Sequence, residues 1–244
     1  MRKIGSYIIA GVVISVISLY GPIVAAGQYV EVGLQVSGSG THEQTFITDI
    51  DWDDVYANPD TRYTWNLTDD YPDGYEIDLG THTATLEGLS IAVEGDPAIE
   101  LGFSAVSYDG PATFLFTSDV LTFDPLTDVT AWVYATADSL PGTVTNAVDI
   151  PDKLCRNLYN GTQIFADVID PYSFIPGGVW EYIADTPIAG TVSSMQLMWS
   201  LGVNSGGHAD GLCTFDLSGT AIPEPATILL LGMGGLALIR KRRA

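Results

Sequence analysis

Four aspartates, Asp49, Asp51, Asp53 and Asp60, fall at positions 1, 3, 5 and 12 of a loop count at which carboxylates can gather around a calcium ion. Position 6 of that count is Asp54, where the sharp turn of such a loop wants glycine, and position 12 is an aspartate in place of a bidentate glutamate. Ile50 and Trp52, alternating with the aspartates, describe equally well a strand with one wet face. A second acidic group, Asp69, Asp70, Asp73, Glu76 and Asp78, surrounds the turn Tyr71-Pro72-Asp73-Gly74. Calcium is the one cofactor these patterns raise, with Asp49, Asp51, Asp53, Asp69, Asp70 and Asp73 as candidate ligands; a solvated acidic loop is the competing reading.

Other reactive side chains are sparse. His42, His82 and His208 stand apart, with no His-x-x-x-His spacing and no Gly-x-Ser-x-Gly elbow, so each is expected on a surface or in a turn. Cys155 and Cys213 are the only cysteines, and they form either a bridge closing a long loop or two buried thiols. Trp52, Trp65, Trp132, Trp180 and Trp199, with twelve tyrosines, offer material for a sugar-stacking platform, although aromatic residues of a β protein belong mostly to its core. The chain is not expected to be an enzyme.

The 244 residues carry a net charge of -21, and the sign is unevenly spread. Between residues 27 and 222 only Arg62, Lys153 and Arg156 are basic, against 29 acidic residues, a net of -26. Such a stretch repels phosphate backbones, which excludes nucleic acid as a partner. With 46% hydrophobic and 10% aromatic residues, it can still bury a core and does not read as disordered.

The remaining basic residues sit at the two ends. Arg2-Lys3, an apolar run from Ile4 to Leu19, and small residues at Val24 and Ala26 make residues 1–26 a signal peptide, with cleavage expected between Ala26 and Gly27 by signal peptidase after entry into the secretory translocon. The far end reads Pro223-Glu224-Pro225, an uncharged apolar stretch from Ala226 to Ile239, then Arg240-Lys241-Arg242-Arg243. Fourteen helical residues reach about 21 Å against a hydrocarbon core of roughly 30 Å, a marginal membrane helix. The four cations act as a stop-transfer cluster that resists translocation, as Arg2 and Lys3 do. Both ends are thus expected on the cytoplasmic side, with everything between them outside.

The order and spacing of triplet, Leu- and Gly-rich stretch and basic end resemble a PEP-CTERM sorting signal. That resemblance implies an exosortase as partner, with Pro223, Glu224 and Pro225 as the residues it recognises, and an association with cells that make extracellular polysaccharide. It covers the tail, residues 221–244, and leaves the role of the body, residues 27–220, open.

The body reads as strands. Val30, Val32, Leu34 and Val36 alternate on one face, and similar runs follow at Tyr63–Leu67, Ile77–Leu86, Leu89–Val93, Val129–Thr136, Met195–Val203 and Leu212–Leu217. Ile99–Ser107 and Thr113–Leu121, joined by Tyr108-Asp109-Gly110-Pro111, read as a meander, and Asn160-Gly161 marks a tight hairpin. Pro141-Gly142 is expected to form a turn, Thr145–Leu158 is the one place for a short helix, and Ser218-Gly219-Thr220 reads as a spacer before the tail. About eight to eleven strands at this spacing predict a mainly β fold, an antiparallel β-sandwich of jelly-roll or immunoglobulin-like type, flanked by the signal helix and the membrane helix. The expected function is that of an exported, non-catalytic surface or matrix protein. A glycan-binding, calcium-assisted module of the polysaccharide matrix is the alternative, and a secreted hydrolase the least favoured reading.

Overall fold

Alternating apolar and polar residues carry nearly the whole body into strands. The computed structural model describes residues 29–139, 144–146, 150, 152–171 and 178–222. In β1 (Tyr29–Ser37) the four predicted residues Val30, Val32, Leu34 and Val36 all turn inward. The other elements are β2 (Thr41–Asp51), α1 (Trp52–Ala57), β3 (Tyr63–Asn66), α2 (Leu67–Asp70), β4 (Tyr75–Asp78), β5 (Thr83–Glu94) and β6 (Ala98–Ser107). They continue with β7 (Ala112–Ser118), β8 (Leu121–Ser139), β9 (Val144–Asn146), β10 (Cys155–Tyr159), β11 (Gln163–Val168), β12 (Val179–Pro187), β13 (Val192–Val203) and β14 (Gly207–Ala221).

All fourteen strands are hydrogen-bonded into one sheet along the path β2-β1-β7-β13-β8-β14-β6-β5-β3. Strand β10 joins β13 and carries β11, β9 lies on β13, β4 on β5, and β12 on β8. Every pairing is antiparallel.

The sheet doubles over at β8, whose nineteen residues serve both halves. Leu121–Leu126 pair with the start of β13, whereas Leu126–Ser139 pair with β14. The bend coincides with exposed Asp124 and Pro125, which interrupt the alternation, and with a register shift between Val192 and Ser194 opposite. Proline has no N–H to give a ladder, and bulges are where a sheet tolerates that loss.

Two layers result, one built on β1, β7, β13 and β10, the other on β8, β14, β6 and β5. Their inner faces meet through Phe103 stacked on Phe116 at 4.7 Å and edge-on to Trp199 at 5.2 Å, and through Phe165 on Phe215 at 5.4 Å. At the far margin Phe46 of β2 meets Trp65 of β3 at 6.1 Å, so the ends of the path nearly close on themselves. The sandwich-like, mainly β class expected from the alternation is the class observed.

Local expectations fared unevenly. Asn160 and Gly161 both adopt left-handed backbone, φ 47° and 80°, in the β10–β11 hairpin, as that turn requires. Strands β6 and β7 are not a meander: β6 pairs with β5 and β14, β7 with β1 and β13, and the turn between them crosses from one layer to the other. Gly110 in that turn is demanded by crowding, since a Cβ there would lie 2.9 Å from the His82 ring. The short helix proposed over Thr145–Leu158 is overturned at Cys155–Leu158, which pair with β11 and β13 as β10. Ser218-Gly219-Thr220 is no spacer but the end of β14, with Ser218 opposite Thr130 and Thr220 opposite Thr127.

Residues 1–26, the cleavage pair Ala26 and Gly27, the Pro141-Gly142 turn, Pro223, Glu224 and Pro225, and the cluster Arg240, Lys241, Arg242 and Arg243 lie outside the described residues. Among the described residues no helix is long and apolar enough to cross a membrane.

Candidate functional site

The outer face of the second layer carries a cluster of aromatic residues that the core does not use. On β8 the odd-numbered positions from Val129 to Ser139 turn inward, so Trp132, Tyr134, Thr136 and Asp138 face out. Antiparallel register places Trp180 of β12 opposite Thr136, and Tyr182 opposite Tyr134. On the other flank of β8, Leu212, Thr214 and Asp216 of β14 stand opposite Thr136, Tyr134 and Trp132.

Residues directly opposite in an antiparallel pair share a face, and adjacent strands lie about 4.8 Å apart. Trp180, Tyr182, Tyr134 and Trp132 therefore form one continuous aromatic strip. Trp180 is 73% exposed, Tyr182 51% and Tyr134 38%, while Trp132 is half-buried with its ring 6.3 Å from that of Tyr182. Beside the strip a hollow of about 340 Å³ lies between Trp180, Thr136, Asp138, Asp210 and Leu212. An apolar strip edged by carboxylates and hydroxyls suits a ligand with a flat C–H face and hydroxyl rims.

Of the five tryptophans named as platform candidates, the structure therefore divides three from two. Trp52, Trp65 and Trp199 are core, and Trp132 and Trp180 face out.

Asp216 on this face holds its proton more tightly than a free carboxyl. Partial burial, reinforced by the charges of Asp96, Glu94 and Asp185, raises its pKa to about 6, against which a hydrogen bond from Trp132 pulls downward. A carboxyl that holds its proton more tightly when folded opposes folding once ionised, so the penalty is absent below about pH 4 and complete above pH 6. The full shift would correspond to roughly 3 kcal/mol, but a half-exposed group is screened, and about 1 kcal/mol is the realistic share. Asp216→Asn is expected to stabilise the body by about 1 kcal/mol at pH 7 and by nothing at pH 3.5, measured by urea unfolding across that range.

Each of the three basic residues of the body is in an ion pair. Arg62 meets Glu100 at 2.6 Å and Glu94 at 3.6 Å, Lys153 meets Glu181 at 3.3 Å, and Arg156 grips Asp167 through two bonds of 2.8 Å. The acidity elsewhere on the surface thus has no basic side chain of the body to offset it.

The candidate calcium ligands do not converge. Asp49 is exposed on β2, Asp51 caps α1 by accepting from the backbone N–H of Asp53 at 2.8 Å, and Asp53 is exposed in the first turn of that helix. Asp70 accepts from the Trp65 indole at 3.2 Å, and Asp69 and Asp73 face solvent. Among the described residues no three His, Cys, Asp or Glu side chains are gathered so as to hold a metal ion.

His82 was expected in a turn and is found there, but buried. Its Nε2 lies 3.1 Å from the Pro111 carbonyl, which can only accept, so this nitrogen carries the hydrogen. Nδ1 is 3.2 Å from Ser39 Oγ and 3.4 Å from Thr81 Oγ1. Ser39 gives its own proton to the Leu79 carbonyl and accepts from the Thr81 N–H. The ring thereby ties the β1–β2, β4–β5 and β6–β7 turns together beside a hollow of about 590 Å³. Among the other two histidines, His42 contacts the Tyr75 hydroxyl at 3.2 Å, and His208 lies 3.5 Å from Glu87 and 3.4 Å from Asp210.

Cys155 and Cys213 are both fully buried and unbridged, and Cys213 Sγ lies 3.5 Å from Asn157 Oδ1.

Strand β14 ends at Ala221, and the chain continues into the segment on which sorting was read from the sequence. The family profile of the PEP-CTERM protein-sorting motif matches residues 221–243. The chain carries a PEP-CTERM sorting tail. That tail implies export to the cell envelope or surface and an exosortase as processing partner. No curated protein matches the chain.

Proposed function

We propose that the chain is a non-catalytic surface or matrix protein whose body holds a neutral polysaccharide on the aromatic face of β8 and β12. In this reading the signal peptide and the PEP-CTERM tail keep both ends on the cytoplasmic side until exosortase acts at the Pro223-Glu224-Pro225 triplet, and the body passes outward. The observation that carries the glycan reading is Trp180, 73% exposed on an edge strand and continuous with Tyr182 and Tyr134. Several large aromatic side chains left in water side by side on one sheet face mark a binding surface. Pyranose rings present C–H faces that cover such side chains, and their hydroxyls find acceptors in Asp138, Asp210 and Asp216. The net charge of -26 between residues 27 and 222 favours a neutral glycan over an acidic one.

Titration with neutral α- and β-glucans and mannan, followed by tryptophan fluorescence, tests the proposal. One of them is expected to shift the emission. Trp180→Ala is expected to weaken that binding about thirtyfold, the loss typical of a central aromatic anchor, while leaving the unfolding midpoint within about 0.5 kcal/mol of the parent. Equal affinity for parent and variant would remove the aromatic face from the account.

A further inference from the structure

We infer that Cys155 and Cys213 form an intramolecular disulfide that ties the two layers together once the chain has been exported. Cys155 lies on β10 of the first layer and Cys213 on β14 of the second, and neither exposes any surface. Cys213 Sγ lies 3.5 Å from Oδ1 of Asn157, which stands two residues along β10 from Cys155 on the same inward face, so the Cys213 thiol sits against the strand that carries Cys155. Both are the only cysteines of the chain, so no competing pairing exists within it. Full burial in the folded body also denies either thiol a partner on another molecule. Trp199 stands beside Cys155 in the β10–β13 register, a bulky aromatic packed next to an inter-layer pair, as in immunoglobulin domains with their inter-sheet bridge.

A thiol pair in this position is kept reduced in cytosol and is oxidised outside it. The reaction requires an extracytoplasmic oxidant of the disulfide class. One cysteine thiolate attacks the oxidant's disulfide and forms a mixed disulfide, the second cysteine's thiolate displaces the oxidant's remaining sulfur, and the two protons finish on the oxidant's two thiols. Burial, followed by the nearby Cys213 thiol, pushes the Cys155 thiol well above its usual range in the folded body. Thiolate is therefore scarce after the layers close, and exchange takes place while the exported chain is still folding. Asn157 loses only a weak S–H donor when the bridge forms.

The distribution of basic residues supplies a clean test. Trypsin cuts the body after Arg62, Lys153 and Arg156, which isolates the tripeptide Leu154-Cys155-Arg156 from the long fragment containing Cys213. The exported protein, taken from cells expressing the full chain, is denatured without reductant, alkylated, digested and weighed. The free tripeptide is expected to be absent and to appear after reduction, with the long fragment losing the corresponding mass. Alkylated Leu154-Cys155-Arg156 in the unreduced digest of exported protein would overturn the inference, and so would its attachment to any fragment lacking Cys213.

Discussion

Trp199→Ala is expected to destabilise the body by about 4 kcal/mol and to lower its melting temperature by roughly 12 °C. The ring is 0% exposed on β13, where that strand faces β6 and β14 of the other layer. Its indole N–H donates to the Leu101 carbonyl at 3.2 Å, and its ring lies T-shaped to that of Phe103 at 5.2 Å. Gly211 lies beneath it, with room for no side chain: a Cβ at that position would come within 3.2 Å of Trp199 and 2.4 Å of Phe103. Removing the indole opens a cavity between two layers whose backbones are held by their ladders, so the walls cannot collapse to fill it. Urea unfolding of parent and variant measures the loss. The same substitution at Trp180, exposed on β12, is expected to leave stability unchanged, so the pair separates packing from recognition within one chain.

The contrast between these two tryptophans also shows what could and could not be read from the residues alone. Strands with one inward face announced themselves, as Val30, Val32, Leu34 and Val36 do in β1, because burial enforces a period of two. Strand β12 gave no such signal. It is an edge strand, and none of its described positions from Val179 to Pro187 is fully buried, so no apolar alternation exists to be seen. Yet β12 holds Trp180 and Tyr182. An aromatic strip assembled by pairing β12 with β8 depends on register between residues nearly fifty positions apart, which no local pattern encodes.

Local signals failed in a second way, at the connections. Tyr108-Asp109-Gly110-Pro111 has the composition of a hairpin turn, but the chain uses it to cross between layers, and its glycine answers to the bulk of His82 rather than to a left-handed backbone. Residues Cys155–Leu158 closed the one stretch with room for a short helix, yet a strand there gains two ladders, with β11 and β13, and tertiary pairing decides such a segment. The juxtaposition of Cys155 and Cys213 was open for the same reason, since it needed the placement of β10 against β14. The sorting motif of the tail, by contrast, was legible, because its three parts are contiguous and each is a matter of composition.

That contiguity gives the second large effect. Replacing Arg240, Lys241, Arg242 and Arg243 together with glutamine is expected to abolish stop-transfer. The uncharged stretch from Ala226 to Ile239 reaches only about 21 Å as a helix and does not span a core of roughly 30 Å unaided. In the proposed topology what holds it is the resistance of the basic cluster to crossing, each Arg or Lys opposing insertion by about 3 kcal/mol at the membrane centre. Without those charges the tail is expected to slip through behind the body. The triplet is then never presented at the membrane, and the exported chain keeps its full C-terminus. Replacing Pro223 and Pro225 with alanine is expected to have a different outcome, because the anchor survives while recognition is lost: the full-length chain accumulates in the membrane fraction. Intact masses of the chain in medium and membrane fractions distinguish the two. A glutamine variant still processed at the parent's site would show that exosortase reads the triplet without the charge anchor, and the proposed cytoplasmic placement of the tail would fall with it.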